Sequence, residues 1–199
     1  MDVQSHMRPL YRIASARSRD LHLIGDIELA AAKLLRGHAP DTVLNEITGE
    51  KVLRDAQRQG RLWVALAGDA PVGFARVEVL EPNAVHLEEI DVLPEHGRRG
   101  LGRRLVAQVC GWTEERGYPA VTLTTFRDIP WNMPFYARLG FEEIPTAALS
   151  PVLRSVLEDE ACRGLDPLRR VAMRWLAQSE STRGVRVPER SSAIQREER

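Results

Sequence analysis

Apolar residues along this chain recur with two periods, and the switches between the periods mark out its elements. Ile24, Ile27, Ala31, Leu34 and Leu35 form a stripe at helical spacing after Ser18, and Gly37 ends it. A second helix is predicted near Glu50–Gln59, closed by Gly60. A third carries Leu101, Leu105, Val109 and Trp112, with Gly117 where a left-handed cap is expected. Short apolar or alternating runs predict strands at Tyr11–Ala16, Leu62–Ala67, Val72–Leu80, Ala120–Thr125, Phe141–Ile144 and Val171–Leu176. A further strand begins at Val85 and is stopped by Pro94, and Gly68-Asp69-Ala70-Pro71 reads as a hairpin turn. Between Trp131 and Phe141, Asn132 suits a helix cap, Pro134 the first turn and Gly140 the end of a short helix of about two turns. This order alone predicts a mixed α/β domain with an antiparallel first half.

Two segments stand apart from that order. Thr146 to Leu168 is longer than a hairpin needs, and its stripe of Leu149, Val152, Leu153, Val156 and Leu157 predicts a helix serving as a lid or a partner contact. From Gln178 the chain is polar and basic, so residues 1–177 are expected to form one domain and 178–199 a disordered tail.

Charge changes the picture by exclusion. The chain's 28 basic and 28 acidic residues cancel, leaving no net field to draw nucleic acid or a membrane surface. Cys110 and Cys162 make neither a disulfide framework nor a metal site, and no His/Cys/carboxylate spacing suggests a metal. No apolar run is long enough to span a bilayer and no signal-peptide core begins the chain, so a cytoplasmic location is expected.

Candidate chemistry concentrates in GRRGLGRRL, from Gly97 to Leu105, where a loop rich in Gly and Arg runs into a helix start. The first amides of a helix lack intrahelical partners and carry the positive end of its dipole, which makes this an anion site. Gly100 and Gly102 let the backbone come close, and Arg98, Arg99 and Arg103 add charge. A P-loop is excluded because Arg103 and Arg104, not Lys and Ser or Thr, follow Gly102. A dinucleotide fingerprint is excluded because Leu105 stands where a third small residue belongs.

The strand before the loop reads HLEEIDV. Regular alternation places His86, Glu88, Ile90 and Val92 on one side and Leu87, Glu89 and Asp91 on the other. A carboxylate buried without a partner is costly, so at least one of Glu88 and Glu89 is expected to face a wet cleft.

Together these segments resemble the GCN5-related N-acetyltransferase (GNAT) family, whose loop runs Arg or Gln, two residues, Gly, one residue, then Gly or Ala. Gly97 takes the Arg or Gln place here, with Arg98 one position later. The stretch from Asn132 through Phe135-Tyr136 to Gly140-Phe141 is similar to the family's second cofactor motif. The resemblance implies the acyl-CoA N-acyltransferase fold, a mixed central sheet of about seven strands flanked by helices, and acetyl-CoA as cosubstrate. It implies pyrophosphate binding by Gly97, Arg98, Arg99, Gly100, Gly102 and Arg103, and pantetheine pairing with the backbone of Ile90 and Val92. Asn132 would hydrogen-bond the cofactor. Tyr136 would be the general acid toward the thiolate, and Glu88 the base, with His86 in the place some histone-type members use.

An alkylammonium has a pKa of about 10.4 and must lose a proton before it attacks an acyl group, which gives such a base its task. The expected activity is therefore direct acetyl transfer in a ternary complex to a small primary amine, with neither nucleic acid nor membrane as partner and homodimerisation left open. The alternatives are a non-catalytic acyl-CoA sensor module and a protein or peptide N-acetyltransferase.

Overall fold

A computed structural model describes residues 10–80 and 84–178; the expected tail from 179 onward lies outside the described residues. Seven strands form one sheet: β1 (Tyr11–Ser15), β2 (Leu62–Ala67), β3 (Ala70–Leu80), β4 (Ala84–Val92), β5 (Ala120–Phe126), β6 (Glu142–Glu143) and β7 (Arg170–Leu176), in the order β1-β2-β3-β4-β5-β7-β6. The first four pair antiparallel, as the hairpin signals predict. The helices are α1 (Ile24–Ala32), α2 (Asp41–Leu44), α3 (Glu50–Arg58), α4 (Leu101–Glu115), α5 (Met133–Ala137) and α6 (Pro151–Cys162).

The two faces of the sheet hold separate cores. Leu101, Leu105, Val109 and Trp112, the predicted stripe of α4, pack on Val77, Val85, Leu87, Val121 and Met173. On the opposite face Ile24 and Ile27 of α1 and Leu53 of α3 cover Leu62, Val64, Leu66 and Phe74. A buried side chain of this size contributes about 1.5–3 kcal/mol, so each helix is held mainly by its apolar stripe.

The stripe of α6 is spent on the sheet and does not stand free as a lid. Leu149, Leu153 and Leu157 pack with Leu80, Ile144 and Ala172, while the Ser150 side chain caps the helix on Leu153 N–H at 3.2 Å. Its other end is tied by Glu160, whose carboxylate accepts from Arg170 at 2.7 and 2.8 Å. No helix among the described residues is long and apolar enough to cross a membrane.

Two irregularities build the functional geometry. The first is a register shift between β3 and β4: Arg76 faces Glu89 and Val77 faces Leu87, leaving Glu88 as an extra residue. Regular alternation therefore fails. Val85 and Leu87 before the bulge, and Ile90 and Val92 after it, all join the α4 core. The expectation that His86, Glu88, Ile90 and Val92 share one side is corrected here, because the extra residue flips the pleat.

The second irregularity is the parting of β4 and β5. These parallel strands pair only at Val85 with Val121 and His86 with Thr122, although β4 continues to Val92 and β5 to Phe126. Beyond His86 the backbone of β4 thus has an unpaired edge facing a wedge. Gly73 on β3 lets the far end of β4 lie close, because an added Cβ would stand 2.7 Å from the Asp91 carbonyl oxygen. Gly73→Ala should destabilise the fold by about 1–3 kcal/mol, the scale of overpacking, and weaken binding in the wedge; urea denaturation measures the first effect.

Candidate functional site

The wedge ends at the N-terminus of α4. Leu93 N–H returns to Val72 C=O at 2.9 Å, a single 3-10 turn covers Pro94–His96, and Gly97 N–H closes on Pro94 C=O at 3.0 Å. Arg98 and Gly100 both take left-handed backbone, at φ 55° and 75°. For Gly100 this is inexpensive, and space for a Cβ there is open. The first intrahelical bond runs from Arg104 N–H to Gly100 C=O, so the amides of Leu101, Gly102 and Arg103 are left for an anion.

The arginines divide the work. Arg98 and Arg103 are exposed and make no ion pair among the described residues. Arg99 reaches the Glu95 carbonyl and lies over the Tyr11 ring, while Arg104 donates to the Tyr11 carbonyl at 3.1 Å. The Tyr11 hydroxyl meets His96 Nδ1 at 2.9 Å, so the first strand braces the loop. Nothing in the local sequence pointed to Tyr11 or His96, which lie 85 positions apart.

Gly102 has a role its motif did not reveal. An added Cβ would meet the Phe135 ring at 3.3 Å, so its small size lets α5 approach α4. Tyr136 follows on the same helix, with its ring against Phe135 and Phe141 at 5.0 and 5.8 Å. Burial and the nearby charge of Asp91 raise the Tyr136 pKa against a weaker opposing effect of Arg170, so the hydroxyl keeps its proton. Asn132 is the N-cap residue of α5, as expected, but its side chain makes no capping bond, which leaves its amide uncommitted to the helix. Helix α5 is also shorter than the expected two turns: it ends at Ala137, and residues 138–140 form a turn before Phe141.

On the opposite face of β4 lie the acidic residues. His86 is buried and its Nδ1 lies 2.9 Å from Thr122 Oγ1, which itself donates to Val85 C=O; the imidazole Nδ1–H is therefore the donor. Burial pushes its pKa down to about 4, so it is a neutral core histidine and not the cleft base considered from sequence.

Glu88, at the bulge, has a side chain 30% exposed and lies 3.8 Å from Arg76. Burial raises its pKa, Arg76 opposes the rise, and Glu78 and Glu160 support it. Arg76 is itself shared with Glu78, which also takes Arg61 at 2.6 Å, so Glu88 is only lightly neutralised.

Glu89 and Asp91 face α1, where sequence reading had placed no site residue. Thr48 donates its hydroxyl to Glu89 at 3.0 Å and its N–H to Glu28 at 2.9 Å. Burial, then Asp91 and Glu28, push the Glu89 pKa up to about 9; burial and Glu28 push Asp91 up to about 7. Thr48 also forms part of the wall of a cavity of about 380 Å³ between α1 and α3. No group of acidic residues, His or Cys among the described residues converges as metal ligands would.

Residues 30–141 match the model of the acetyltransferase (GNAT) family. The chain is similar to the aminoglycoside N(6')-acetyltransferase type 1 of Salmonella typhimurium, 28% identical over 119 residues, covering 56% of this chain and 79% of the relative. Its fold is similar to that of the PaiA N-acetyltransferase of Thermoplasma acidophilum in complex with coenzyme A, at TM-score 0.66 and 15% identity over 84% of this chain and 99% of the other. It is also similar to the ribosomal-protein-S18-alanine N-acetyltransferase of Escherichia coli, at TM-score 0.59 and 21% identity over 85% and 96%.

The acidic cluster has a consequence for stability. A carboxyl whose folded pKa is raised stabilises the fold while protonated, and loses that contribution as pH climbs from about 4.5 to about 9. Glu89→Gln should therefore raise the melting temperature at about pH 8 and change it little at about pH 4.5. Thermal denaturation across that range measures the difference.

Proposed function

Since the chain belongs to the acetyltransferase (GNAT) family, with acetyl-CoA as cosubstrate, we propose that it moves acetyl directly to a primary amine within a ternary complex. The observation that carries this reading is the wedge between β4 and β5, which opens an unpaired strand edge and ends at the free amides of α4. An extended amide-bearing chain such as pantetheine suits the edge, through the backbone of Ile90 and Val92. The pyrophosphate suits the amides of Leu101 to Arg103, with Gly97, Gly100 and the Arg98, Arg99 and Arg103 charges around it. Acetyl-CoA supplies an activated acyl group and a thiolate leaving group.

The remaining steps fall to this chain's own side chains. Glu88 is partly exposed, raised in pKa and beside the point where the strands part, which supports it as the group that takes the amine proton directly or through water. Tyr136 keeps its proton and lies close enough to Asp91 of β4 to feel its charge, which supports it as the donor to the departing thiolate. Asn132, free of a capping bond, supports cofactor binding at the other side. The name of the Salmonella relative supports an amine-bearing small molecule as acceptor. A retained pair of proton-transfer groups favours turnover over a silent sensor.

Tyr136→Phe keeps the ring packing and removes the hydroxyl; the expected result is a fall in turnover of about 10²-fold with unchanged acetyl-CoA affinity. Glu88→Gln should lose most of its rate near neutral pH and recover as pH approaches the acceptor's own pKa of about 10.4, where free amine no longer has to be generated. Free-thiol release over an amine panel measures both, and parental rates in both variants would return these residues to a structural role.

A further inference from the structure

The three carboxylates of Glu28, Glu89 and Asp91 are not required by the proton transfers above, and none of them forms an ion pair among the described residues. Arg61 and Arg76 are held by Glu78 and Glu88, and Arg170 by Glu160. Glu28 is 3% exposed and one of its oxygens takes the Thr48 N–H, yet the other, Oε1, is buried without a partner. The charge of Glu28 bears on both Glu89 and Asp91, so its orphan oxygen belongs to the same acidic cluster. A buried acceptor of this kind calls for a donor. Glu89 and Asp91 are only half-buried, and Thr48, which touches both glutamates, borders an open cavity.

Resting on the acetyltransferase reading, we propose that Glu28, Glu89 and Asp91 form a subsite for a second ammonium group of the acceptor, which makes amines carrying two or more ammonium groups a short chain apart the preferred substrates. An ammonium brings three donors and one positive charge, matching an orphan acceptor in an anionic cluster. A metal ion does not match, since no group of three or more acidic residues, His or Cys among the described residues could hold one. Glu88 and Glu89 are adjacent in the chain, with Cα atoms about 3.8 Å apart, so the reacting amine and the second ammonium can belong to one short molecule.

In the free protein protons occupy the cluster, and a bound ammonium displaces them. The groups facing it are Glu28 from α1, Thr48 from the loop before α3, Tyr136 from α5, and Glu88 and Arg76 from the neighbouring strand positions. Alkylammonium groups stay charged until about pH 10, so any rise of affinity below that pH reports the carboxylates.

The test is calorimetric titration of coenzyme-A-saturated protein with 1,4-diaminobutane and with butylamine, at about pH 6.5 and about pH 8.5. The diamine should bind about tenfold more tightly at the higher pH, with proton release seen as a dependence on buffer ionisation enthalpy. Glu89→Gln should bring the diamine-to-monoamine affinity ratio close to one, and Glu28→Gln, which keeps the acceptor for Thr48 N–H, should lower it severalfold. Equal binding of the two amines by the parent, or an unchanged ratio in both variants, overturns the subsite. Coenzyme A binding with no thiol release from any amine would instead overturn the acetyltransferase reading beneath it.

Discussion

The parting of β4 and β5 is the constraint on which the rest depends. Two parallel strands that pair at only two positions leave a row of backbone donors and acceptors without partners. Such groups are costly unless water or a ligand satisfies them. The bulge at Glu88 and the close approach at Gly73 fix β4 against β3, while β7 holds β5 along its whole length through seven paired positions. The edge is thereby kept open by rigid neighbours and not by a flexible loop. Helix α4 starts where the wedge ends, so one geometric feature supplies both an edge for an amide chain and an anion site.

Electrostatics divides the two faces of the same strand. The bulge delivers apolar residues to the α4 side and carboxylates to the α1 side, and the carboxylates meet too few cations to be neutralised. Their raised pKa values and the protonated Tyr136 follow from burial together with mutual repulsion. A cluster of this kind lowers stability at neutral pH, and sites that bind charged ligands commonly carry such a cost.

Much of this was legible in the sequence, and the failures have local causes. The α4 stripe, the hairpin of β2 and β3 and the anion loop follow from periodicity and helix-end chemistry, which are short-range. The faces of β4 were misassigned because a bulge is a property of two strands, and HLEEIDV alone gives no sign of the extra residue. His86 read as a potential base because its Thr122 partner lies 36 positions away. Glu28 was hidden inside an apolar helix stripe, and Thr48 in a loop, since only the fold brings them to Glu89. Gly102 reads from its motif as a place where the backbone approaches a phosphate, and the Phe135 ring that an added Cβ would meet is not visible in the sequence.

The most direct measurement of the central claim is an amide nuclear-magnetic-resonance titration of the labelled protein with acetyl-CoA. Binding along the β4 edge and at the start of α4 predicts large shifts for Ile90, Val92 and Gly100 to Arg103, smaller ones around Asn132 to Tyr136, and quiet amides in α3. Shifts centred on the cavity between α1 and α3, with Gly100 to Arg103 unmoved, would contradict it.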